Sequence, residues 1–274
     1  MLSIVIPSRQ EKYLDRTVRD LMVKAEGPIE IIVVLDGADT ERIDGVQYIY
    51  HPVAIGMKDA INSGVAVATG KYLMKIDAHC IVAPGFDTQL IKDHQDTWVQ
   101  VPRRYKLDEE HWKPKSEYVD YEHFIFPLKY DPPSLHGFKS PLRQAERKDI
   151  PLDDLMTFQG SCYFLTREYW DTLGFLKEEG YGTLPAQEAT YIGNTVWTSG
   201  GRVVVNKNTW YAHWFKGKDN GRGYFMDRGL QRDCYEFSYN YWVNERKDDF
   251  VTLIERFWPV PDWPANWKQK LWTP

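Results

Sequence analysis

The first quarter of the chain alternates short apolar runs with a helical pattern, and each run ends in polar residues. Residues 2–9 read LSIVIPSR and residues 30–37 read EIIVVLDG, so both are rich in β-branched residues and stop at a turn signal. Between them, residues 12–26 place apolar side chains at spacings of three and four, which is the period of an amphipathic helix. A strand, a helix and a second strand form a βαβ unit, and this restricts the chain to an α/β fold with parallel strands.

The pattern of apolar spacing continues along the chain. It predicts a strand at 46–51, a helix at 56–68, a strand at 71–80, a strand and short helix within 157–174, a loop and helix within 180–201, and paired strands at 202–214. Periodicity weakens over 98–154, which we interpret as long loops across the sheet, and the aromatic segment after residue 223 is expected to fold back as helices. One large domain with a helical appendage is the expected organisation.

Polar residues follow three of these strands. Residues 7–9, Asp36 and residues 77–79 each stand where a predicted strand ends. Ligands of open α/β sheets bind outside the carboxyl ends of the strands, so we expect these residues to converge on one crevice.

Asp77 and His79 are candidate metal ligands. Alternate residues of an extended strand share one face, so an aspartate and a histidine two apart can reach the same ion. Carboxylate oxygen with imidazole nitrogen suits Mn²⁺ among the divalent ions, with Mg²⁺ as the alternative. Taken alone the pattern is common, and surface polar residues after a strand are the competing interpretation.

Charge is unevenly distributed along the sequence. The formal net charge of -5 argues against a protein that coats nucleic acid, but residues 202–232 contain seven Lys or Arg and two Asp. This basic segment predicts a local anionic ligand such as a diphosphate, and a solvated basic face is the alternative.

Cysteine usage and hydropathy address the environment of the chain. The three cysteines are widely spaced and contain no Cys-x-x-Cys pair, so neither a disulfide framework nor a cysteine zinc site is predicted. No apolar run reaches the length of a membrane span, and no signal peptide opens the sequence. We therefore expect a cytoplasmic protein without a membrane partner, in the host cytoplasm if it is viral.

Five ordered blocks resemble the family 2 glycosyltransferases with the GT-A fold. The blocks are IVIPSR (4–9), EIIVVLDG (30–37), GMKDAINSGVAVATGKYLMKIDAHC (56–80), FQGSCYFLTREYWDTLGF (158–175) and QEATYIGNTVWTSGGRVVV (187–205). The D-A-H-C segment is especially similar to the polypeptide N-acetylgalactosaminyltransferases, in which D-x-H replaces the commoner D-x-D.

The resemblance implies a Rossmann-like mixed sheet flanked by helices. It also implies a GT-A catalytic domain over 1–223, with a nucleotide-sugar-binding half over 1–97 and an acceptor half over 98–223. The aromatic residues 224–274 are then a helical extension packed on that domain.

The resemblance also assigns site residues. The implied residues around the base and ribose of the donor are Pro7, Ser8, Arg9 and Asp36, with Asp77 beside the ribose and the metal. Lys58 and Asn62 lie on the helix that faces the donor, and Gln159, Gly160 and Ser161 lie beneath the sugar. The implied diphosphate-binding residues are Lys216, Lys218 and Arg222. The implied metal ligands are Asp77, His79 and His213. Basic side chains near a diphosphate would stabilise the leaving nucleotide. Gly217, Gly221 and Gly223 are expected to form a loop that closes over the phosphates, with a turn-rich surface loop as the alternative.

Glu188 is the candidate catalytic residue, and the position after it departs from the family pattern. Inverting relatives carry an aspartate there as general base, whereas this chain has Ala189. Either Glu188 takes the acceptor proton, or the enzyme retains the anomeric configuration and needs no such base. We favour retention.

The resemblance implies transfer of a hexose from a nucleotide-diphosphate sugar, a UDP-sugar above all, to a hydroxyl acceptor. The acceptor could be a glycan, a small molecule or a hydroxymethylated base of phage DNA, for which Arg103, Arg104, Tyr105 and Trp112 could supply charge and stacking. A nucleotide-sugar-binding protein without catalysis is the alternative from another class. A nucleotidyltransferase lacks support, because no glycine-rich phosphate motif follows the first strand.

Overall fold

The computed structural model describes residues 1–174, 176–177, 179–216 and 226–273. The strands are β1 (Leu2–Ser8), β2 (Ile29–Asp36), β3 (Gln47–His51), β4 (Tyr72–Ile76), β5 (Cys80–Val82), β6 (Trp98–Asp108), β7 (Lys113–Val119), β8 (Glu122–Phe124), β9 (Gly137–Lys139), β10 (Leu152–Asp154), β11 (Cys162–Thr166) and β12 (Arg202–His213). The α-helices are α1 (Leu14–Lys24), α2 (Met57–Val67), α3 (Phe86–Lys92), α4 (Pro141–Glu146), α5 (Arg167–Leu173), α6 (Glu188–Thr198), α7 (Arg228–Tyr239), α8 (Lys247–Arg256) and α9 (Trp267–Trp272). A 3₁₀ turn spans Pro127–Lys129, and a π-helix spans Asn240–Glu245.

The central layer is a ten-stranded mixed sheet. Its main path runs β10-β12-β6-β11-β4-β1-β2-β3, with β5 also paired to β12 and β7 to β6. β1 is parallel to both β2 and β4, whereas β11 is antiparallel to its neighbours β4 and β6 and so joins the early and late strands in one sheet. The carboxyl ends of β1, β2 and β4 therefore lie along one edge. The predicted α/β class and mixed sheet are confirmed.

Each face of the sheet has its own core. Ile4 belongs to the cluster that includes the buried sides of α1 and α3, and the next residue, Val5, belongs to the cluster beneath α2, α6 and the C-terminal helices. Alternation along β1 therefore supplies both cores. Gly64 allows α2 to approach closely, because a Cβ there would lie 2.4 Å from Cγ1 of Val5.

The expectation of long loops over 98–154 is wrong. Within that segment β6 lies between β12 and β11, and β7 extends the sheet beside β6. The pattern misled because Pro102 and the charged residues after it interrupt the apolar run of β6. A proline cannot donate a ladder hydrogen bond, and the register with β12 shifts at this point, between Asn206 and Trp210.

The expectation of paired strands over 202–214 is also wrong. These residues form the single long strand β12, which absorbs the register shift without turning back. Its last residue, His213, pairs with Cys80 at the start of β5. One continuous strand thus carries a late histidine to the end of β4.

The aromatic C-terminal segment packs as helices on the sheet domain, as predicted. Trp263 and Trp267 are buried, and the indole Nε1 of Trp263 donates to the carbonyl of Phe124 at 2.7 Å. Trp272 donates in the same way to the carbonyl of Val243 at 3.0 Å, whereas Trp258 is 40% exposed. No helix in the described part of the chain is both long and apolar enough to cross a membrane.

Candidate metal and donor site

Asp77, His79 and His213 meet at the end of β4. Antiparallel pairing of β5 with the end of β12 places the two histidines side by side, with 3.0 Å between their Nε2 atoms. Oδ2 of Asp77 lies 3.4 Å from Nε2 of His213 and 3.7 Å from Nε2 of His79. One ligand atom from each residue therefore faces a common point, within 4.8 Å of the others.

The protonation of this cluster fits a divalent metal. Burial lowers the pKa of His213 to about 4, so its imidazole is neutral near pH 7. Burial alone would raise the pKa of Asp77, but the Lys75 ammonium and the two imidazoles outweigh it and hold that pKa well below the usual value. Neutral imidazoles and ionised carboxylates are the forms that bind metal ions. The oxygen and nitrogen donor set suits Mn²⁺.

A buried glutamate supports the second ligand. Nδ1 of His79 lies 3.1 Å from Oε2 of Glu11, just beyond the carboxyl end of β1. Metal-binding histidines commonly donate their other ring N–H to a carboxylate in this way. Glu11 was not among the predicted site residues, although its position after the first strand was an available signal.

Lys75 is a second residue that the sequence analysis missed. It lies on β4 with a side chain that is only 2% exposed, and its Nζ donates to Oδ1 of Asp77 at 2.8 Å and to the carbonyl of Gly160 at 2.6 Å. The carboxylate of Glu188 lies 3.4 Å away. Burial would lower the pKa of Lys75, but the two carboxylates outweigh it and raise that pKa. A lysine inside the apolar run YLMKI was the signal.

Glu188 begins α6 and is 4% exposed. Burial raises its pKa, against the opposing effect of Lys75. Its Oε1 has no hydrogen-bond partner among the described residues. Gly160 approaches so closely that a Cβ there would lie 3.3 Å from the carboxylate. Glu188 is thus held beside the metal cluster, with its Oε1 3.4 Å from Nζ of Lys75.

Two adjoining cavities contain most of the predicted site. The larger, of about 550 Å³, is lined by the three metal-cluster residues together with Glu188 and Gln159. This size is typical of small-molecule sites. The smaller, of about 100 Å³, is lined by Pro7, Ser8, Arg9 and Asp36. Both cavities share Pro7, Glu11, Met57 and Pro185.

At the smaller cavity, the side chain of Asp36 forms hydrogen bonds with backbone N–H groups. Its carboxylate accepts from the N–H of Ile55 at 2.6 Å and of Gly56 at 3.2 Å. These bonds shape the wall on which α2 begins. The expected single crevice is two adjoining cavities: residues 7–9 and Asp36 line the smaller one and residues 77–79 line the larger one, with Pro7 common to both.

Lys58 and Asn62 do not line either cavity, contrary to their predicted orientation towards a donor. Lys58 is fully buried, and its Nζ donates to the carbonyls of Leu184 at 2.7 Å and Gly182 at 3.2 Å. The Asn62 amide bonds the backbone N–H and carbonyl of Leu176. Both side chains donate to backbone carbonyls of the segment before α6.

Arg104 and Gln159 form part of the wall of the larger cavity. Nη1 of Arg104 donates to Oε1 of Gln159 at 2.9 Å, and its Nη2 donates to Glu122. Ser161 also donates to Gln159, at 2.9 Å. Arg103 instead makes a bidentate pair with Asp120.

Arg103, Arg104, Tyr105 and Trp112 were expected in basic, aromatic loops, and for the first three this expectation is wrong. The first three lie on β6, and the paired guanidinium groups have carboxylate partners within the fold. Trp112 packs against Tyr13 and Arg16.

The predicted diphosphate-binding residues are only partly described. Lys216 lines the larger cavity and pairs with Glu11. Lys218, Arg222 and the glycines Gly217, Gly221 and Gly223 lie outside the described residues.

Comparison with known proteins adds a family and a fold. The profile described as "Glycosyl transferase family 2" matches residues 3–174. No curated protein matches the sequence. The crystal structure of GalNAc-T7 with UDP, GalNAc and Mn²⁺ is similar with a TM-score of 0.72 and 18% identity, over 99% of this chain and 54% of that one. This chain thus spans about half the length of that relative.

Two structures of S. aureus TarS 1-349 are also similar, one of them in complex with UDP-GlcNAc. Each has a TM-score of 0.52, with 10% and 11% identity, covering 92% and 93% of this chain and 78% and 80% of TarS. At these identities the likeness establishes the GT-A fold.

Proposed function

Because this chain belongs to glycosyl transferase family 2, we propose that it transfers a hexose from a UDP-sugar to a hydroxyl acceptor with the help of Mn²⁺ or Mg²⁺. The observation that carries the proposal is the convergence of Asp77, His79 and His213 on the wall of the larger cavity. We assign the base and ribose to the smaller cavity beside it, which is lined by Pro7, Ser8, Arg9 and Asp36.

Three residues hold the metal in this proposal, and the hydrogen bonds of their neighbours determine which atom of each residue faces the ion. Lys75 occupies Oδ1 of Asp77, so Oδ2 is the oxygen presented to the ion. His79 and His213 present Nε2. A bound divalent ion would neutralise charge that develops on the diphosphate as the glycosidic bond breaks. Lys216 stands at the same cavity and would contact the phosphates.

Glu188 is the proposed catalytic carboxylate, and under retention its role is to stabilise the positive charge that develops on the sugar, not to take the acceptor proton. Its buried carboxyl lies next to Gly160, in the segment proposed to lie beneath the transferred sugar. Lys75 lies beside this carboxylate and Ala189 follows it, so no second acid stands at the position of the base of inverting relatives. We therefore propose retention, which ¹H NMR of the freshly formed product would establish from its anomeric coupling constant.

The acceptor half of the proposal favours a neutral hydroxyl compound. Each described lysine and arginine that lines the larger cavity has a carboxylate partner: Lys75 with Asp77, Arg104 with Glu122, and Lys216 with Glu11. A phosphodiester backbone would have to compete with these carboxylates. A glycan or small molecule is the acceptor class that we propose.

A modified DNA base is the second candidate acceptor, and one observation favours it. A groove of about 340 Å³ adjoins the larger cavity through Arg104 and Phe215, and it is lined by Tyr105, Tyr118, Lys106 and Lys139. Aromatic faces with basic side chains are suited to single-stranded nucleic acid. A panel containing hydroxymethylated DNA and glycans distinguishes the two acceptor classes.

Donor hydrolysis tests the function. Sugar nucleotides would be screened with Mn²⁺, with and without a chelator, for wild type and Glu188→Gln. We expect hydrolysis of a UDP-sugar that ceases on chelation and falls about 100-fold in the variant, as loss of a charge that stabilises the transition state would cause. A nucleotide-sugar-binding protein would bind UDP and show no turnover in either form. Absence of both binding and turnover would contradict the proposal.

A further inference from the structure

Glu11 connects the candidate metal cluster to the end of β12. Its side chain is 10% exposed, and its two oxygens have different partners. Oε2 lies 3.1 Å from Nδ1 of His79, and Oε1 accepts from Nζ of Lys216. The carboxylate therefore serves two donors at once.

The contact with Glu11 fixes where His79 carries its proton. A neutral imidazole has one N–H and one lone pair, and a carboxylate accepts hydrogen bonds without donating them. Nδ1 must then be the donor, which leaves the lone pair on Nε2. That lone pair is directed towards Nε2 of His213, 3.0 Å away, and towards Oδ2 of Asp77.

His213 provides an internal contrast. Its Nδ1 is buried and has no hydrogen-bond partner among the described residues. One of the two Nε2 atoms must donate in their contact. The single N–H of a neutral His79 already donates a hydrogen bond to Glu11 from Nδ1. When His79 is the Nδ1–H tautomer, His213 is the donor across the 3.0 Å contact, so the Glu11 contact orients His79, and not His213, in advance as a ligand.

We propose that Glu11 is a positioning residue for the metal site, which holds His79 as the Nδ1–H tautomer so that Nε2 is ready to bind the ion. The inference rests on the proposed function, because it assumes that the cluster binds a divalent metal. It assigns Glu11 no contact with the ion or the substrate. Outer carboxylates of this kind typically change metal affinity by about 10- to 100-fold.

Substitution of Glu11 by glutamine separates this role from simple packing. Glutamine has the same shape but a single oxygen, and two donors, His79 and Lys216, compete for it. If Lys216 takes the oxygen, the amide N–H₂ faces Nδ1 and favours the wrong tautomer. Removing the competitor in Glu11→Gln/Lys216→Met leaves the amide oxygen to His79, so the double variant should recover affinity.

The experiment measures binding of Mn²⁺ alone, without nucleotide, by electron paramagnetic resonance. We expect Glu11→Gln to weaken binding about 10- to 100-fold, Lys216→Met to bind at least as tightly as wild type, and the double variant to bind more tightly than Glu11→Gln. Equal affinities of wild type and Glu11→Gln would overturn the inference alone. Failure of the wild type to bind Mn²⁺ would overturn the proposed function with it.

A second measurement needs no variant. Long-range ¹H–¹⁵N NMR of the metal-free wild type reports which ring nitrogen of His79 is protonated. The inference predicts Nδ1–H, and an Nε2–H signal would overturn it. With Glu11→Gln the Nδ1–H population should fall while the melting temperature stays close to that of wild type, since a purely structural role would change only the latter.

Discussion

Nζ of Lys75 lies 2.8 Å from Oδ1 of Asp77 and 3.4 Å from the carboxylate of Glu188. One buried cation thus joins a candidate metal ligand to the candidate catalytic carboxylate. The same ammonium bonds the carbonyl of Gly160 at 2.6 Å, so the segment beneath the proposed sugar site is held by it too. Lys75 therefore contacts three parts of the site: the end of β4, the residues just before β11, and the start of α6.

Removing that charge should destabilise the fold. Lys75→Met leaves the buried Glu188 and the partly buried Asp77 without their shared counter-ion, and breaking a buried pair in this way costs about 3–5 kcal/mol. Urea unfolding followed by circular dichroism would measure the free energy of unfolding. Lys71→Met, at an exposed lysine just before β4, is the matched control and should change it by less than about 0.5 kcal/mol. Equal effects at the two positions would show that Lys75 is not a structural counter-ion.

The unpaired negative charge that Lys75→Met leaves can be reduced by neutralising Glu188. In Lys75→Met/Glu188→Gln one carboxylate has become neutral, so the double variant should be more stable than Lys75→Met. Urea unfolding of the full double-mutant cycle gives the coupling energy. Strict additivity of the two substitutions would contradict the ion pair described here.

A single methyl group at Gly160 should disturb catalysis without disturbing the fold. Its Cβ would lie 3.3 Å from the Glu188 carboxylate, which must then move by a few tenths of an ångström. We expect kcat to fall about tenfold, because small displacements of catalytic groups are costly. Gly193→Ala, on the same helix as Glu188, meets Phe158 at an ordinary 3.7 Å and should leave kcat unchanged. Unchanged kcat in Gly160→Ala would argue against a catalytic role for Glu188.

His94 should make the fold sensitive to acid. Burial lowers its pKa from 6.5 to about 4. Between these values the unfolded chain binds a proton that the folded chain does not, so the free energy of unfolding falls as the pH drops from 6.5 towards 4. Because the ring is partly exposed, we expect a loss of no more than about 2 kcal/mol. Urea unfolding at pH 6.5 and at pH 4 measures this decrease in the free energy of unfolding. The decrease should be smaller in His94→Gln than in wild type. In the control His111→Gln, at an exposed histidine, it should equal that of wild type.

Local patterns were sufficient to predict the donor side of the fold. The alternation of β1, α1 and β2 is encoded within 36 residues, and strand ends in parallel register bring residues 7–9, Asp36 and 77–79 together. Strand β6 could not be recognised, because its apolar run is short and its pairing with β12 spans about a hundred positions of sequence. Sheet partners so distant leave no local signal.

Side-chain direction was the other limit. The family resemblance implied that Lys58 faces the donor, yet its Nζ donates to the carbonyls of residues 182 and 184. Glu11 and Lys75 do line the site but were not predicted, because their partners His79 and Glu188 come from distant segments of the sequence. Which face of a helix or strand meets a returning loop depends on tertiary packing, and periodicity contains no information about it.

The most direct test of the account is whether UDP binding depends on metal through this cluster. Isothermal titration would compare UDP binding with Mn²⁺ and with a chelator, for wild type and His213→Ala. That variant is preferable to Asp77→Asn, because Asp77 also neutralises the buried Lys75. We predict binding in Mn²⁺ that weakens at least about tenfold on chelation and in the variant. Equal affinity with and without metal, or in wild type and His213→Ala, would contradict the metal-dependent mechanism.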